Sequence, residues 1–132
     1  MDVVFFGTSE FSVPALQAIH ESKHVLKAVV TAPDRPSGRG RKMTAPYGKE
    51  HALEIGVPVL QPDRLDKEFL RIFDKLEPDI GVVASYGKII GKEFLALPPH
   101  GILNIHPSLL PLYRGPSPVQ QPILNGDTET GV

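Results

Sequence analysis

The chain has 132 residues, the usual size of one globular domain with a single core. Its composition, 41% hydrophobic and 22% charged residues with a formal net charge of -1, is unlike that of a disordered or fibrous protein. Cysteine is absent, which excludes disulfides and thiolate metal sites, and no apolar run approaches the roughly 20 residues needed to span a bilayer. No export signal precedes the first apolar run, so we expect a cytoplasmic protein with no membrane segment and no metal site.

Apolar runs and helical patterns alternate along the chain. The runs typical of buried strands are Val3 to Phe6, Val25 to Thr31, the shorter Val57 to Leu60, Ile80 to Ala84 and Ile102 to Ile105. Amphipathic patterns follow Ser9, a candidate N-cap, and Asp66, and a weaker one runs from Ala45 to Ile55. Because a parallel strand pair needs a crossover of about a dozen residues, this order predicts an α/β fold, a Rossmann-like, mostly parallel sheet with helices on both faces.

Ligands of such sheets bind outside the carboxyl ends of the strands. The first of these turns, Gly7 to Phe11, has one glycine where the dinucleotide fingerprint has three. We therefore interpret it as an ordinary strand-to-helix turn and expect neither a nicotinamide nor a flavin.

An amide and an imidazole stand at the end of the last predicted strand. Alternation along a strand places Asn104 and His106 on the same side. An amide N–H can bind a developing oxyanion, and an imidazole can donate or move a proton near neutral pH, so the pair suits acyl transfer. A lone histidine at a strand end is more often a structural residue, and the pair alone does not decide the function.

The surrounding segment is more specific. Residues 104 to 115 read N-I-H-P-S-L-L-P-L-Y-R-G, which resembles the N-x-H-x-S-L-L-P-x-x-x-G signature of the 10-formyltetrahydrofolate-dependent formyltransferases. The resemblance implies that Asn104 binds the formyl oxygen as it becomes an oxyanion. It implies charge stabilisation and proton transfer for His106, with 10-formyltetrahydrofolate as co-substrate and the acceptor's own amine as nucleophile.

The S-L-L-P part of the signature is implied to line the folate site; it consists of Ser108, Leu109, Leu110 and Pro111. A structural role, in which the Ser108 hydroxyl caps or bends the turn, is an equal alternative to a folate or substrate contact. The resemblance and the tight geometry together predict a cis peptide between Leu110 and Pro111.

A second stretch is similar to the V-A-Y-G pterin-pocket segment of the same family. It comprises Val83, Ala84, Tyr86 and Gly87, with Ser85 in a place where the family usually has alanine or valine. A flat heterocycle there would be bound by backbone groups and apolar walls. For any one of these residues, simple packing of a strand end is an equal alternative.

Basic residues concentrate in a long loop between Ala32 and Tyr47. From Asp34 to Lys49 five basic residues face one acidic residue, which leaves -5 for the rest of the chain. A cationic, glycine-hinged loop can follow a phosphate backbone, whereas the plain alternative is a solvated loop. Its P-D-R-P-x-G-R-G sequence resembles the tRNA-contacting insertion of methionyl-tRNA formyltransferases, which implies initiator methionyl-tRNA as partner. The implied contacts are Arg35, Arg39, Arg41 and Lys42, Arg39 foremost.

Two alternatives remain. One is a glycinamide ribonucleotide formyltransferase of purine synthesis, which shares the signature but lacks the basic insertion, and the other is an inactive RNA-binding fragment of this fold. Family members continue into a catalytic aspartate that orients the histidine, and then into a carboxyl-terminal tRNA-binding domain. We therefore expect residues 1–132 to be a truncated, monomeric amino-terminal formyltransferase domain of low activity. Asp127 matches a noncatalytic family position instead.

Overall fold

The computed structural model describes residues 1–40 and 42–132, which form a parallel sheet, a small hairpin and short helices. The strands are β1 (Asp2–Gly7), β2 (Val25–Val30), β3 (Arg35–Ser37), β4 (Lys42–Thr44), β5 (Val59–Leu60), β6 (Ile80–Ala84) and β7 (Ile102–Asn104). The helices are α1 (Val13–His20), α2 (Tyr47–Glu54), α3 (Lys67–Lys75), α4 (Lys92–Leu95) and α5 (Gln120–Asn125), and a 3-10 turn (Glu10–Ser12) precedes α1.

The main sheet is parallel throughout and has the order β5-β2-β1-β6-β7. Alternation along β1 separates two cores. Val3 and Phe5 pack with the buried Leu16 of α1, whereas Val4 and Phe6 pack on the opposite face with the buried Phe73 of α3. Both faces of the sheet are thus covered by helices, which confirms the predicted Rossmann-like α/β architecture.

All five predicted strands are present within two residues of their expected bounds, but the expected long loop is an ordered hairpin. Strands β3 and β4 pair antiparallel, with Arg35 opposite Thr44 and Ser37 opposite Lys42. Gly38 enters the turn with φ +72°, a conformation that costs glycine little. Arg41 lies outside the described residues.

The residues that precede the two amphipathic patterns, Asp66 and the candidate N-cap Ser9, differ in how they meet their helices. Asp66 caps α3, since its Oδ1 accepts a hydrogen bond from the Phe69 backbone N–H at 3.0 Å. Ser9 occupies the N-cap position of the 3-10 turn that leads directly into α1. Its hydroxyl makes no capping hydrogen bond, however, and donates to the Ser85 hydroxyl at 2.7 Å instead.

The strand order reverses direction at β1, and this switch point lies beside the loop that follows β6. The Thr8 backbone N–H donates to the Ser85 carbonyl at 3.1 Å, and the Thr8 hydroxyl donates to the Tyr86 carbonyl at 2.9 Å. The Gly48 N–H of α2 donates to the Thr8 carbonyl at 3.3 Å. Ligand sites of open α/β sheets form at such points.

Among the described helices, none has the length and apolar character of a membrane span.

We expect Asp66→Ala to lower the free energy of unfolding by about 1 kcal/mol, because the first turn of α3 loses its cap. Urea denaturation followed by circular dichroism measures the change. Asp74→Ala is the matched control, since this exposed aspartate lies near the carboxyl end of the same helix. It should stay within about 0.5 kcal/mol of the parent. Equal losses in the two variants would contradict the capping role.

Candidate active site

A cavity of about 780 Å³ opens at the carboxyl ends of β6 and β7, and the predicted amide and imidazole both line it. Asn104 is the last residue of β7, and His106 follows two residues later. The Ile105 N–H between them donates to the Val83 carbonyl at 2.8 Å and holds this segment against β6. Apolar walls come from Val83, Ile90, Leu95 and Ile102.

The proton position on His106 follows from its hydrogen bond. Its Nε2 lies 2.8 Å from the Tyr113 carbonyl oxygen. A carbonyl can only accept, so Nε2 carries the hydrogen and donates it. In the neutral ring the lone pair is then on Nδ1, which can accept a proton.

The Asn104 side chain is exposed, and no described residue makes a hydrogen bond with its amide. Its N–H groups are therefore available to an oxygen that enters the cavity. An unpaired amide beside an imidazole of defined tautomer can stabilise an oxyanion and move one proton, which are the requirements of acyl transfer.

The residues predicted to bind folate divide into two groups. Val83, Tyr86 and Gly87 line the cavity, whereas Ala84 is fully buried in the core beneath it. Burial raises the pKa of Tyr86 to about 12, so its phenol keeps its proton at neutral pH. The ring packs edge-on against Phe6, with 5.5 Å between the centroids. Tyr86 thus forms a rigid, uncharged wall.

The S-L-L-P segment does not line the cavity. Ser108 is 1% exposed and its hydroxyl donates to the Leu112 carbonyl at 2.8 Å, a contact that fits the turn-shaping alternative. Leu109 and Leu110 are exposed, and the peptide between Leu110 and Pro111 is cis as predicted. Folate contacts by this segment remain a prediction.

Lys88 also lines the cavity and was missed by the sequence analysis. Its ammonium donates to the carbonyls of Pro62 at 2.6 Å and Asp63 at 2.8 Å, which ties the loop after β5 to the cavity wall. Desolvation lowers the pKa of Lys88. Its partners are backbone groups about 25 residues away, and no sequence pattern marks such a contact.

A second cavity, of about 400 Å³, lies between the hairpin base and the turn after β1. Tyr86, Gly87 and Lys88 line both cavities, so the two share a wall. Of the predicted tRNA contacts, Arg35 lines this second cavity. Arg39 and Lys42 are exposed farther along the hairpin.

The base of the hairpin is fixed by a polar cluster that we call the hairpin clamp, formed by Asp34, Lys49 and Gln61. The Lys49 ammonium donates to the two Asp34 carboxylate oxygens at 2.8 and 2.7 Å. The Gln61 amide donates to the same carboxylate at 2.7 Å and to the Ala32 carbonyl at 2.9 Å. Hydrogen bonds from Gln61 and then Lys49 lower the pKa of Asp34. Asp34 thus offsets the Lys49 charge at the base, away from the exposed basic residues of the hairpin.

Comparison with known proteins identifies the family of this arrangement. The sequence model of the formyl transferase family, described as "Formyl transferase", matches residues 1–132. The chain belongs to the formyl transferase family. It is 51% identical over its whole length to a methionyl-tRNA formyltransferase of Chloroflexus aggregans, of which it covers 43%. It is 52% identical over 98% of its length to a methionyl-tRNA formyltransferase of a Roseiflexus species, of which it covers 41%. This formyl transferase chain thus spans about two fifths of these curated relatives.

Solved structures agree on the fold of the formyl transferase chain. Glycinamide ribonucleotide transformylase 1 from Geobacillus kaustophilus superposes with a TM-score of 0.74 and 28% identity, over 98% of this chain and 70% of that one. The corresponding protein from Symbiobacterium toebii gives 0.75 and 23% identity, over 96% of this chain and 60% of that one, and shows the fold alone.

The hairpin clamp should make stability depend on pH. The pKa of Asp34 is lower in the folded state than the value of about 3.9 for an unfolded chain. Its stabilising contribution is therefore fully present above about pH 4 and is lost as the pH falls through the folded pKa. We expect Asp34→Asn to reduce the fall in unfolding free energy below pH 4, as measured by urea denaturation between pH 7 and 3.

Glu68→Gln is the control, because this exposed carboxylate lies on α3, outside the clamp. An acid profile that Asp34→Asn leaves unchanged would contradict the clamp.

Proposed function

We propose that the protein to which this chain belongs transfers a formyl group from 10-formyltetrahydrofolate to the amino group of initiator methionyl-tRNA in the cytoplasm. The proposal rests above all on the cavity that brings an unpaired Asn104 amide and a His106 of defined tautomer together. Membership of the formyl transferase family supports the transferred group. The names of relatives about 50% identical support methionyl-tRNA as the acceptor.

The proposed chemistry moves one proton between the two substrates through His106. As the acceptor nitrogen bonds to the formyl carbon, the carbonyl oxygen gains negative charge and Asn104 donates N–H to it. Nδ1 of His106 takes the proton that the amine loses and passes it to N10 of the folate as the carbon–N10 bond breaks. The products are the formamide and tetrahydrofolate, and no enzyme nucleophile takes part.

The cavity also suits a folate. A volume of about 780 Å³ lies in the usual range for a small-molecule site. Its apolar side chains can enclose a flat ring. The formyl group would then lie toward Asn104 and His106.

The hairpin is the proposed contact to the acceptor nucleic acid. Arg35, Arg39 and Lys42 are exposed, and Arg41, outside the described residues, belongs to the same set. Such a row of cations can follow a phosphate backbone while the hairpin base stays fixed by the clamp. The second cavity lies between this hairpin and the catalytic cavity, on the route that the end of the acceptor would follow.

Glycinamide ribonucleotide is the second candidate acceptor, favoured by the name of the Geobacillus kaustophilus structure, which is 28% identical to this chain. The higher identity to methionyl-tRNA formyltransferases and the exposed cationic hairpin favour tRNA. Assays of the intact gene product with the two acceptors side by side test the proposal. Faster transfer to glycinamide ribonucleotide would overturn it.

Asn104→Ala should lower kcat for formyl transfer to methionyl-tRNA by about 100- to 1,000-fold, because the oxyanion loses a donor. The dissociation constant of the folate should change little. Steady-state kinetics and a folate titration measure the two effects. Gln121→Ala, an exposed amide that does not line the cavity, is the control and should behave like the parent. Unchanged kcat in Asn104→Ala would contradict the oxyanion role.

Arg39→Ala should weaken tRNA binding and reduce the slope of log affinity against log salt by about 1, because one phosphate contact is lost. Folate binding should be spared. Filter binding at several salt concentrations measures the slope. Arg71→Ala is the matched control, since this exposed arginine lies on α3 away from the hairpin. Equal losses of tRNA and folate affinity in Arg39→Ala would count against a hairpin contact.

A further inference from the structure

Tyr113 holds the ring of His106 through its backbone, not its side chain. Its carbonyl oxygen accepts the His106 Nε2–H at 2.8 Å. The residue has φ +56°, in the left-handed region that a tyrosine rarely adopts. A rotation of this backbone would move the carbonyl away from the imidazole. Within the described residues, the tautomer of His106 therefore depends on what keeps Tyr113 in this conformation.

The phenol of Tyr113 is held from two sides. It donates to the Asp127 carboxylate and accepts from the Asn125 side-chain amide, which lies at 3.0 Å. The bond to Asp127 raises the pKa of Tyr113, so the phenol keeps the proton that it donates. One donor and one acceptor satisfy the hydroxyl in a single orientation.

Both partners come from the end of α5, which is ordered by its own backbone. Asn125 is the last residue of the helix, and Gly126 ends it with φ +75°. The Asp127 N–H donates to the Pro122 carbonyl at 2.9 Å. This turn presents the amide and the carboxylate on either side of one hydroxyl. Neither group hydrogen-bonds to His106 in the described structure, so any influence on it passes through Tyr113.

We propose that Asp127 and Asn125 are positioning residues, which lock Tyr113 so that its carbonyl keeps the His106 hydrogen on Nε2 and the lone pair on Nδ1. The kinetic part of this inference rests on the proposed function, in which Nδ1 accepts the proton of the amine. The tautomer itself does not depend on it. Without the lock the Tyr113 backbone relaxes, the carbonyl leaves the ring, and the Nδ1–H tautomer becomes populated.

Nitrogen NMR of the intact gene product separates the two tautomers by the chemical shifts of the imidazole nitrogens. In Asp127→Ala we expect a larger Nδ1–H population of His106. We also expect kcat to fall about 10- to 100-fold, by analogy with the loss of groups that orient metal-binding histidines, with both KM values within about twofold. Asp127→Asn keeps an acceptor for the phenol and should restore most of the parent's Nε2–H tautomer of His106 and most of its kcat. Glu129→Ala removes an equal charge at an exposed position nearby and should match the parent.

Tyr113→Phe keeps the carbonyl of residue 113 and removes only the phenol hydroxyl. It should therefore raise the Nδ1–H population of His106 as Asp127→Ala does. If Asp127→Ala fails to fold, Tyr113→Phe decides. An unchanged His106 tautomer in the folded variants would overturn the inference, whatever the activity. Absent formyl transfer by the parent would overturn the proposed function instead, and the tautomer measurement would still test the lock.

Discussion

One threonine side chain connects the strand ends on which both cavities depend. The Thr8 hydroxyl donates to the Tyr86 carbonyl at 2.9 Å and accepts from the Ala32 N–H at 3.2 Å. It thereby ties the ends of β1, β6 and β2, which the parallel order brings to the same edge of the sheet. Loss of the hydroxyl would leave a carbonyl and an N–H without partners, at a cost of about 1–3 kcal/mol for each group that stays buried. The shared wall would lose its fixed position relative to the hairpin.

The strands could be predicted from sequence because burial on both faces gives them continuous apolar runs, as in Val3 to Phe6. The hairpin could not be predicted from the sequence. Its strands β3 and β4 have three residues each, all of them exposed, so burial imposes no pattern on their sequence. Its base is held by Lys49 and Gln61, which lie 15 and 27 residues beyond Asp34. The helices α4 and α5, of four and six residues, are too short for a periodic pattern to be read.

The candidate site likewise contains some features that the sequence predicts and others that it does not. Asn104 and His106 could be predicted as neighbours because they share one strand end, where alternation fixes their direction. The hydrogen-bond partner of the His106 imidazole could not be predicted, because a backbone carbonyl has no sequence signature. Tyr113 also occupies a conformation that usually favours glycine. Ser85, with φ +49°, is a second such exception, at the switch point itself.

In the proposed function, the distribution of positive charge separates the binding of the acceptor from the reaction. Lys88, in the wall between the cavities, already donates to two carbonyls, and Lys49 is paired with Asp34. These two cations are engaged in holding loops. The segment from Asp34 to Lys49 instead carries a local net charge of +4, from five basic residues and one acidic residue, and Arg39 within it is exposed. A polyanion bound there would be held by screened, salt-dependent attraction, whereas in the proposed reaction the half-buried imidazole of His106 acts on one proton at short range. Salt should therefore weaken the encounter with the acceptor more than the chemical step, since the groups at the reacting centre do not depend on the charge of the hairpin.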